Sequence, residues 1–229
     1  MLNTAIATVG FWYWKDTVIN VACVLRAGGK VGYDATWVAK LQRAVERNLS
    51  HPHRFVCLSD CEVPCERIVL EDVGKGFWSK IQLFKPNLFT GPVLYLDLDT
   101  VICSSIDPIV DCIKDQKFVM WYEADRQIHS SAFMWWQGDH SHLWNLYQQQ
   151  SPEYWANLYC RPPLYGDQAL ISEHVEHTLL TDHCDPTWFH IASHRDCDNL
   201  NRVKLLMFRK TSQKPSTMLN HPLVQTHWL

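Results

Sequence analysis

Short, uninterrupted apolar runs alternate with segments of helical spacing along the first hundred residues. Val18 to Leu25 (VINVACVL) is a β-branched run, which predicts a strand buried on both faces. Ala27-Gly28-Gly29-Lys30 is a loop signal. Asp34 then stands as an N-cap before Ala35 to Asn48, where Trp37, Val38, Leu41 and Val45 recur on one helix face. His53 to Leu58 predicts a second strand and Glu66 to Leu70 a short third. Gly76 breaks the chain ahead of a helix from Phe77 to Phe84, which must stop before Pro86. Val93 to Leu96 (VLYL) is another continuous apolar run, and it ends abruptly in Asp97-Leu98-Asp99.

Beyond it, Phe118 to Tyr122 and Ala132 to Trp136 predict strands, and Ser141 to Gln150 a helix. A further helix should start near Asp167. The pattern is irregular from His174 to Arg202, and Val203 to Phe208 predicts a last strand. This order predicts an α/β fold with a mostly parallel central sheet and helices on both faces. Such sheets bind ligands beyond the carboxyl ends of their strands, where Asp97 and Asp99 would sit. No repeat or linker divides the chain. The expected layout is an aromatic extension over 1–17, with its cluster Phe11 to Trp14, and one domain over 18–229. Its tail, 209–229, carries Pro215 and Pro222 and is expected to pack back towards the site.

Composition narrows the function. A chain of 229 residues builds a sizeable core without disulfide or zinc staples. A net charge of −3 argues against a nucleic-acid partner, which would call for a basic face. Nine cysteines without a CxxC spacing read as reduced thiols of a cytoplasmic protein. The histidine-rich stretch with His174, His177, His183, Cys184, His190 and His194 matches no zinc-ligand spacing. No apolar run reaches the ~18 residues of a transmembrane segment, and the N-terminus lacks a secretory leader's basic start. Eleven tryptophans suit both core packing and sugar stacking.

Two carboxylates at i and i+2 can hold a divalent cation that bridges nucleotide phosphates. The spacing alone is weak, since Asp196-Cys197-Asp198 repeats it in a polar loop. Context separates the two, because Asp97 and Asp99 close a buried strand, where uncompensated carboxylates are costly.

At this point the chain resembles a known family. Phe77-Trp78-Ser79-Lys80 with Leu83-Phe84, then Val93 through Asp99 and Thr100-Val101-Ile102, then Ile106-Asp107-Pro108, resembles GT-A nucleotide-sugar glycosyltransferases of the family 8-like, glycogenin-like group. His129-Ser130-Ser131-Ala132 sits where that family has an Asn-Ala-Gly or Asn-Ser-Ser segment. Tyr165-Gly166-Asp167-Gln168 matches its "DQ" motif, and Phe208 through Lys214-Pro215 its C-terminal "FHG..KP" segment. The resemblance spans about residues 18 to 228 and implies a single GT-A, Rossmann-like domain.

It also implies a UDP-sugar donor and Mn2+ (or Mg2+). Carried over by position, Asp97 meets ribose and cation, Asp99 ligates the cation, and Lys80 faces the donor. Tyr33 stacks on the base, Cys23 and Val24 meet the uracil edge, and Lys214 approaches the diphosphate. Asp167 and Gln168, the catalytic candidates, lie by the donor sugar with His129, Ser130 and Ser131. The family's C-terminal metal-binding histidine is missing: Arg209 follows Phe208. Arginine cannot ligate a cation but can bind diphosphate directly; His221 or His227 would supply a third metal ligand only if the tail folds back. The implied activity is retaining hexosyl transfer to a saccharide, lipid-linked or protein acceptor. Acceptor loops are expected over Gln137 to Arg161 and His183 to Arg202, with Trp144, Trp155 and Trp188 as platforms. The competing readings are a sugar-phosphate nucleotidyltransferase and a degenerate sugar-nucleotide or carbohydrate binder without turnover.

Overall fold

A computed structural model describes residues 17–72, 76–193, 200–209 and 212–229. The aromatic cluster Phe11 to Trp14, the second D-x-D at Asp196 and Asp198, and His194 lie outside the described residues. In chain order the elements are β1 (Ile19–Leu25), α1 (Ala35–Asn48), β2 (His53–Ser59), β3 (Glu66–Val69), a 3-10 helix (Gly76–Phe84), β4 (Val93–Leu96) and β5 (Val101–Ile102). Next come α2 (Asp107–Ile113), β6 (Phe118–Glu123), β7 (Ile128–Trp136), α3 (Ser141–Tyr147), α4 (Pro152–Leu158), β8 (Cys160–Arg161), β9 (Leu164–Tyr165) and α5 (Gly166–His174). The chain closes with β10 (Thr178–Leu179), α6 (Leu180–His183), β11 (Phe189–Ile191), β12 (Leu205–Met207) and α7 (Pro222–His227).

The main sheet has the order β10-β6-β7-β4-β1-β2-β3. β1 is parallel to β2 and β4, β2 to β3, and β10 to β6, while β7 is antiparallel to both neighbours. The sheet is therefore mostly parallel, as the alternation of elements predicts. A small sheet, β11-β12-β5, ties the C-terminal part to the residues just after Asp99.

β1 shows why its run is unbroken. Ile19, Val21, Cys23 and Leu25 pack into the α1 layer, and Ala22 into the layer of the 3-10 helix and α5. A strand covered on both faces has no solvent side for polar residues. Its one polar residue, Asn20, is saturated: it donates to the carbonyls of Thr90 (2.9 Å) and Pro92 (3.0 Å) and accepts from Arg54 Nε (2.6 Å). α1 begins where expected, because Asp34 Oδ1 accepts the Thr36 N–H at 2.8 Å. Asp34→Ala should cost about 1 kcal/mol, lowering the urea midpoint at unchanged slope; an unmoved midpoint would contradict the cap.

Residues 76–84 form a 3-10 helix, started by Gly76 at φ 62. Side chains three apart eclipse in this geometry. Trp78, Ile81 and Phe84 accordingly stack into the core as one ridge, and Phe77 and Lys80 form another that lines a cleft.

Three segments depart from the sequence pattern. The helix expected over 141–150 ends at Tyr147, and α4 starts anew at Pro152, with Ser151 Oγ accepting the Tyr154 N–H. β7 reaches back to Ile128, since its polar His129, Ser130 and Ser131 hide the strand. The irregular stretch after His174 holds β10, α6 and β11, each at most four residues long. The described cysteines are all free thiols. Among the described residues no helix is long and apolar enough to cross a membrane.

Candidate active site

β1 pairs with β2 on one side and β4 on the other, and the chain proceeds from β1 towards β2 and β3 at one edge but from β4 towards β6 and β7 on the other side. The crevice beyond the carboxyl ends of β1 and β4 is thus the topological switch point of the sheet. A cleft of about 530 Å³ opens there. Residues 26–31 wall one side, Phe77 and Lys80 another, with Tyr33, Asp97, Asp99 and Lys214 at its base.

The acidic pair sits on a turn. The Asp97 N–H donates to the Ala132 carbonyl at 3.0 Å, and the Thr100 N–H donates back to the Asp97 carbonyl at 3.0 Å. Asp97 Oδ1 accepts from the Tyr95 hydroxyl (2.7 Å) and meets Lys80 Nζ (2.9 Å). Asp99 Oδ2 accepts from the Tyr33 hydroxyl (3.1 Å) and from Lys214 Nζ. A third carboxylate joins from the start of α5: Asp167 Oδ2 accepts from Ser131 Oγ (2.6 Å) and lies 3.5 Å from Lys80 Nζ. Lys80 Nζ also donates to Ser131 Oγ at 3.0 Å. Three carboxylates from two segments, the β4–β5 turn and the start of α5, thus converge on two ammonium groups, leaving one net negative charge if all are ionised.

Burial controls the electrostatics. Asp99 and Asp167 are each 4% exposed. Desolvation pushes both carboxyls above the usual range, opposed by Lys214 for Asp99 and by Lys80 for Asp167. Desolvation works against the Lys80 charge, yet Asp167 and then Asp97 outweigh it and hold the ammonium protonated. The Tyr33 and Tyr95 hydroxyls are pushed up by burial first and by the nearby aspartates second. Both tyrosines therefore stay neutral and donate.

The other candidates are dispersed. Val24 lines the cleft, whereas strand alternation sends the Cys23 side chain into the α1 layer. Gln168 is half-buried beside Asp167. Ser130 is buried, and its Oγ accepts the Ala132 N–H. His129 pairs with His177. Arg209 pairs with Glu123 (Nε–Oε2, 2.7 Å) and Asp125 (Nη1–Oδ2, 2.7 Å), tying the segment after β12 to the β6–β7 hairpin. His221 precedes α7 and lines a second cavity with Ser193 and Ser216. The His227 carbonyl accepts from Arg47 at 3.4 Å. Trp155 is core, stacked between Tyr147 and Tyr159, and offers no platform. Lys85 lies over Trp144 and Lys204 over Trp188.

Whether a cation fits is decided by the acidic pair. Each carboxylate engages its lysine and tyrosine through one oxygen, so Asp97 Oδ2 and Asp99 Oδ1 have no hydrogen bond among the described residues. Two hard oxygen donors and a net negative charge suit Mg2+ or Mn2+. Among the described residues no group of three or more His, Cys, Asp and Glu side chains is set to hold a metal.

Two parts of the site escape sequence reading. Tyr95 hides inside an apolar strand; the only clue is that a buried tyrosine hydroxyl needs a partner. Gly166 has φ +68, and a Cβ there would lie 2.6 Å from the Phe77 ring. Phe77 in turn packs on Tyr165, with ring centroids 5.4 Å apart. The glycine lets the helix bearing Asp167 start against the cleft wall.

No protein-family model and no curated protein matches the sequence. Solved structures do match. An active-site glutamine-to-glutamate mutant of LgtC superposes with a TM-score of 0.55 at 10% identity, over 86% of this chain and 89% of that one. This is the GT-A fold. The galactosyltransferase LgtC in complex with donor and acceptor sugar analogues also matches, with a TM-score of 0.55 at 12% identity, over 86% and 88% of the two chains. The glycosyltransferase GlyE of Streptococcus pneumoniae TIGR4 matches at a TM-score of 0.46 and 12% identity, over 72% of this chain and 45% of that one. At these identities the likeness extends to the fold and stops there. Within the GT-A fold, the cleft at the switch point is where buried Asp99, Asp167 and Lys214 come together with Lys80 and Asp97.

Proposed function

We propose that this protein is a glycosyltransferase that moves a hexose from a UDP-sugar to a saccharide, lipid-linked or protein acceptor, with retention of anomeric configuration. One observation carries the reading: at the switch-point cleft, Lys80 joins Asp97, Asp167 and Ser131, while Lys214 meets Asp99. The matches to a galactosyltransferase solved with sugar analogues support the same substrate class.

The roles follow from charge. Nucleoside diphosphate departs as an anion, so catalysis needs positive groups aimed at the developing charge. Lys80 and Lys214 are such groups, already inside the cleft. Asp97 and Asp99 are the residues that would hold Mn2+ or Mg2+, which when bound would supply Lewis-acid stabilisation of the diphosphate. Val24 and Tyr33 line the base end. Asp167, held by Ser131 and Lys80, accepts hydrogen bonds from sugar hydroxyls and orients the ring. Gln168 is an amide and a weak nucleophile, so the acceptor enters on the face the diphosphate leaves, and a diphosphate oxygen takes its proton.

The test is UDP release from a panel of UDP-sugars, with Mn2+ and with chelator. Release from one donor, dependent on Mn2+ and lost in Asp99→Ala, is the expected result. Pyrophosphate released from UTP and a sugar 1-phosphate, with no UDP released from any UDP-sugar, would make the protein a nucleotidyltransferase. Failure of UDP to bind, with or without metal, would overturn the donor reading. An inverted product anomer by NMR would overturn retention alone.

A further inference from the structure

Beside the carboxylate cluster lies a second polar pair that the scheme above does not explain. β6 and β7 lose register between Met120 and Trp121, so that Trp121 pairs with Ser130 and Tyr122 with His129. Bulges of this kind re-aim side chains next to active sites. Trp121 faces the α1 layer, so the next cross-strand pair, Tyr122 and His129, faces the other side. That is the side on which Ser131 meets Lys80 and Asp167. Two residues of strand separate His129 from Ser131, about 7 Å.

His129 is not a free ring. Its Nδ1 lies 2.7 Å from His177 Nε2, and His177 Nδ1 lies 2.9 Å from the Val175 carbonyl. A carbonyl only accepts, so His177 Nδ1 carries the hydrogen, and in the neutral ring Nε2 holds a lone pair. His129 Nδ1 must then be the donor of the 2.7 Å bond. That leaves the His129 lone pair on Nε2, which has no hydrogen-bond partner among the described residues. The two rings stand edge to face, 89° apart, and the Tyr122 ring also packs on His129, with centroids 5.0 Å apart. Burial first, and His177 second, push the His129 pKa down, favouring the neutral ring.

We propose that His177 is a positioning residue: it locks His129 in the Nδ1–H tautomer, so that Nε2 offers an acceptor-only lone pair to a hydroxyl of the transferred sugar. An asparagine at this place would offer both an N–H and a C=O. The locked imidazole offers only a lone pair, so it recognises a sugar with a free hydroxyl at the facing carbon. The proposal rests on the UDP-hexose reading above.

The test separates the two. Calorimetric titration with UDP and with UDP-hexoses gives the sugar's increment in affinity. In the wild type one UDP-hexose should bind more tightly than UDP. His177→Phe should remove about tenfold of that increment, the worth of one hydrogen bond, and leave UDP affinity unchanged. His177→Gln, whose amide oxygen still accepts from His129 Nδ1, should restore most of it. Nitrogen-15 imidazole spectra of the wild type should show His129 protonated at Nδ1, a readout that needs no variant to fold. A wild-type His129 protonated at Nε2, an unchanged increment in His177→Phe, or no hexose gaining over UDP would each overturn the proposal while UDP binding stands. Absence of UDP binding would overturn the donor reading and this inference together.

Discussion

Lys80→Met is expected to damage both stability and turnover. The Lys80 side chain is 12% exposed, and its partners Asp97 and Asp167 are 28% and 5% exposed. Removing one member of a buried ion pair leaves a charge without compensation and costs roughly 3–5 kcal/mol. Turnover should fall by a further factor of about 10²–10³, as when a preorganised group aimed at a leaving anion is lost. The stability loss should shrink in acid. Asp167 already sits above its ordinary value of 3.8 because of burial, and Lys80 holds it down. Without Lys80 it rises further. A carboxyl raised in the folded state contributes stability that is full below its unfolded pKa and is lost as pH rises through the folded one. The variant therefore regains ground on the wild type as pH drops through the new Asp167 pKa. Urea melts of both proteins between about pH 8 and about pH 5 check this; a constant gap would show that Asp167 does not feel Lys80.

How much of this is legible in the chain follows from what each signal depends on. β1, α1 and β4 lie where the apolar runs place them, since continuous burial leaves a local mark. Asp34 is visible because a cap acts within two residues of itself. Asp97 and Asp99 are visible because a carboxylate pair closing a buried strand calls for compensation. What compensates them is not visible. Lys214 reaches Asp99 across 115 residues of sequence, and Lys80 reaches Asp167 through Ser131 on a third element. Ala132 to Trp136 is read as a strand, but the first half of β7 is hidden for the opposite reason: its site-facing residues are polar where the strand pattern demands apolar ones. The histidine stretch matches no zinc-ligand spacing, and nothing in it shows that His177 is engaged with His129 and Val175. Tertiary partners of this kind have no periodicity for a sequence to show.

The second large effect concerns Lys214 and Asp99, and it appears as coupling. Lys214 comes from the segment after β12, and at 9% exposure it brings its ammonium to a carboxylate on the β4–β5 turn. Lys214→Met leaves Asp99 buried with the Tyr33 hydroxyl as its partner. Asp99→Asn leaves a buried ammonium with the Phe208 carbonyl, 3.4 Å away. Each single variant should lose roughly 3–5 kcal/mol by the same logic as Lys80→Met. The double variant removes both charges at once, so it should be more stable than either single. Because the double variant then loses less than either single, the coupling of the cycle must exceed the loss of either single variant, more than about 3 kcal/mol. Turnover should not recover with stability. Under the proposed chemistry Asp99 holds the cation and Lys214 meets the departing diphosphate, so the double variant, though better folded, should be as inactive as the worse single one. Denaturation and UDP release measured on the same four proteins separate the two effects. Additive stabilities would mean that the pair contributes no interaction energy to the fold. Turnover that returned with stability would mean that the two residues serve the fold alone.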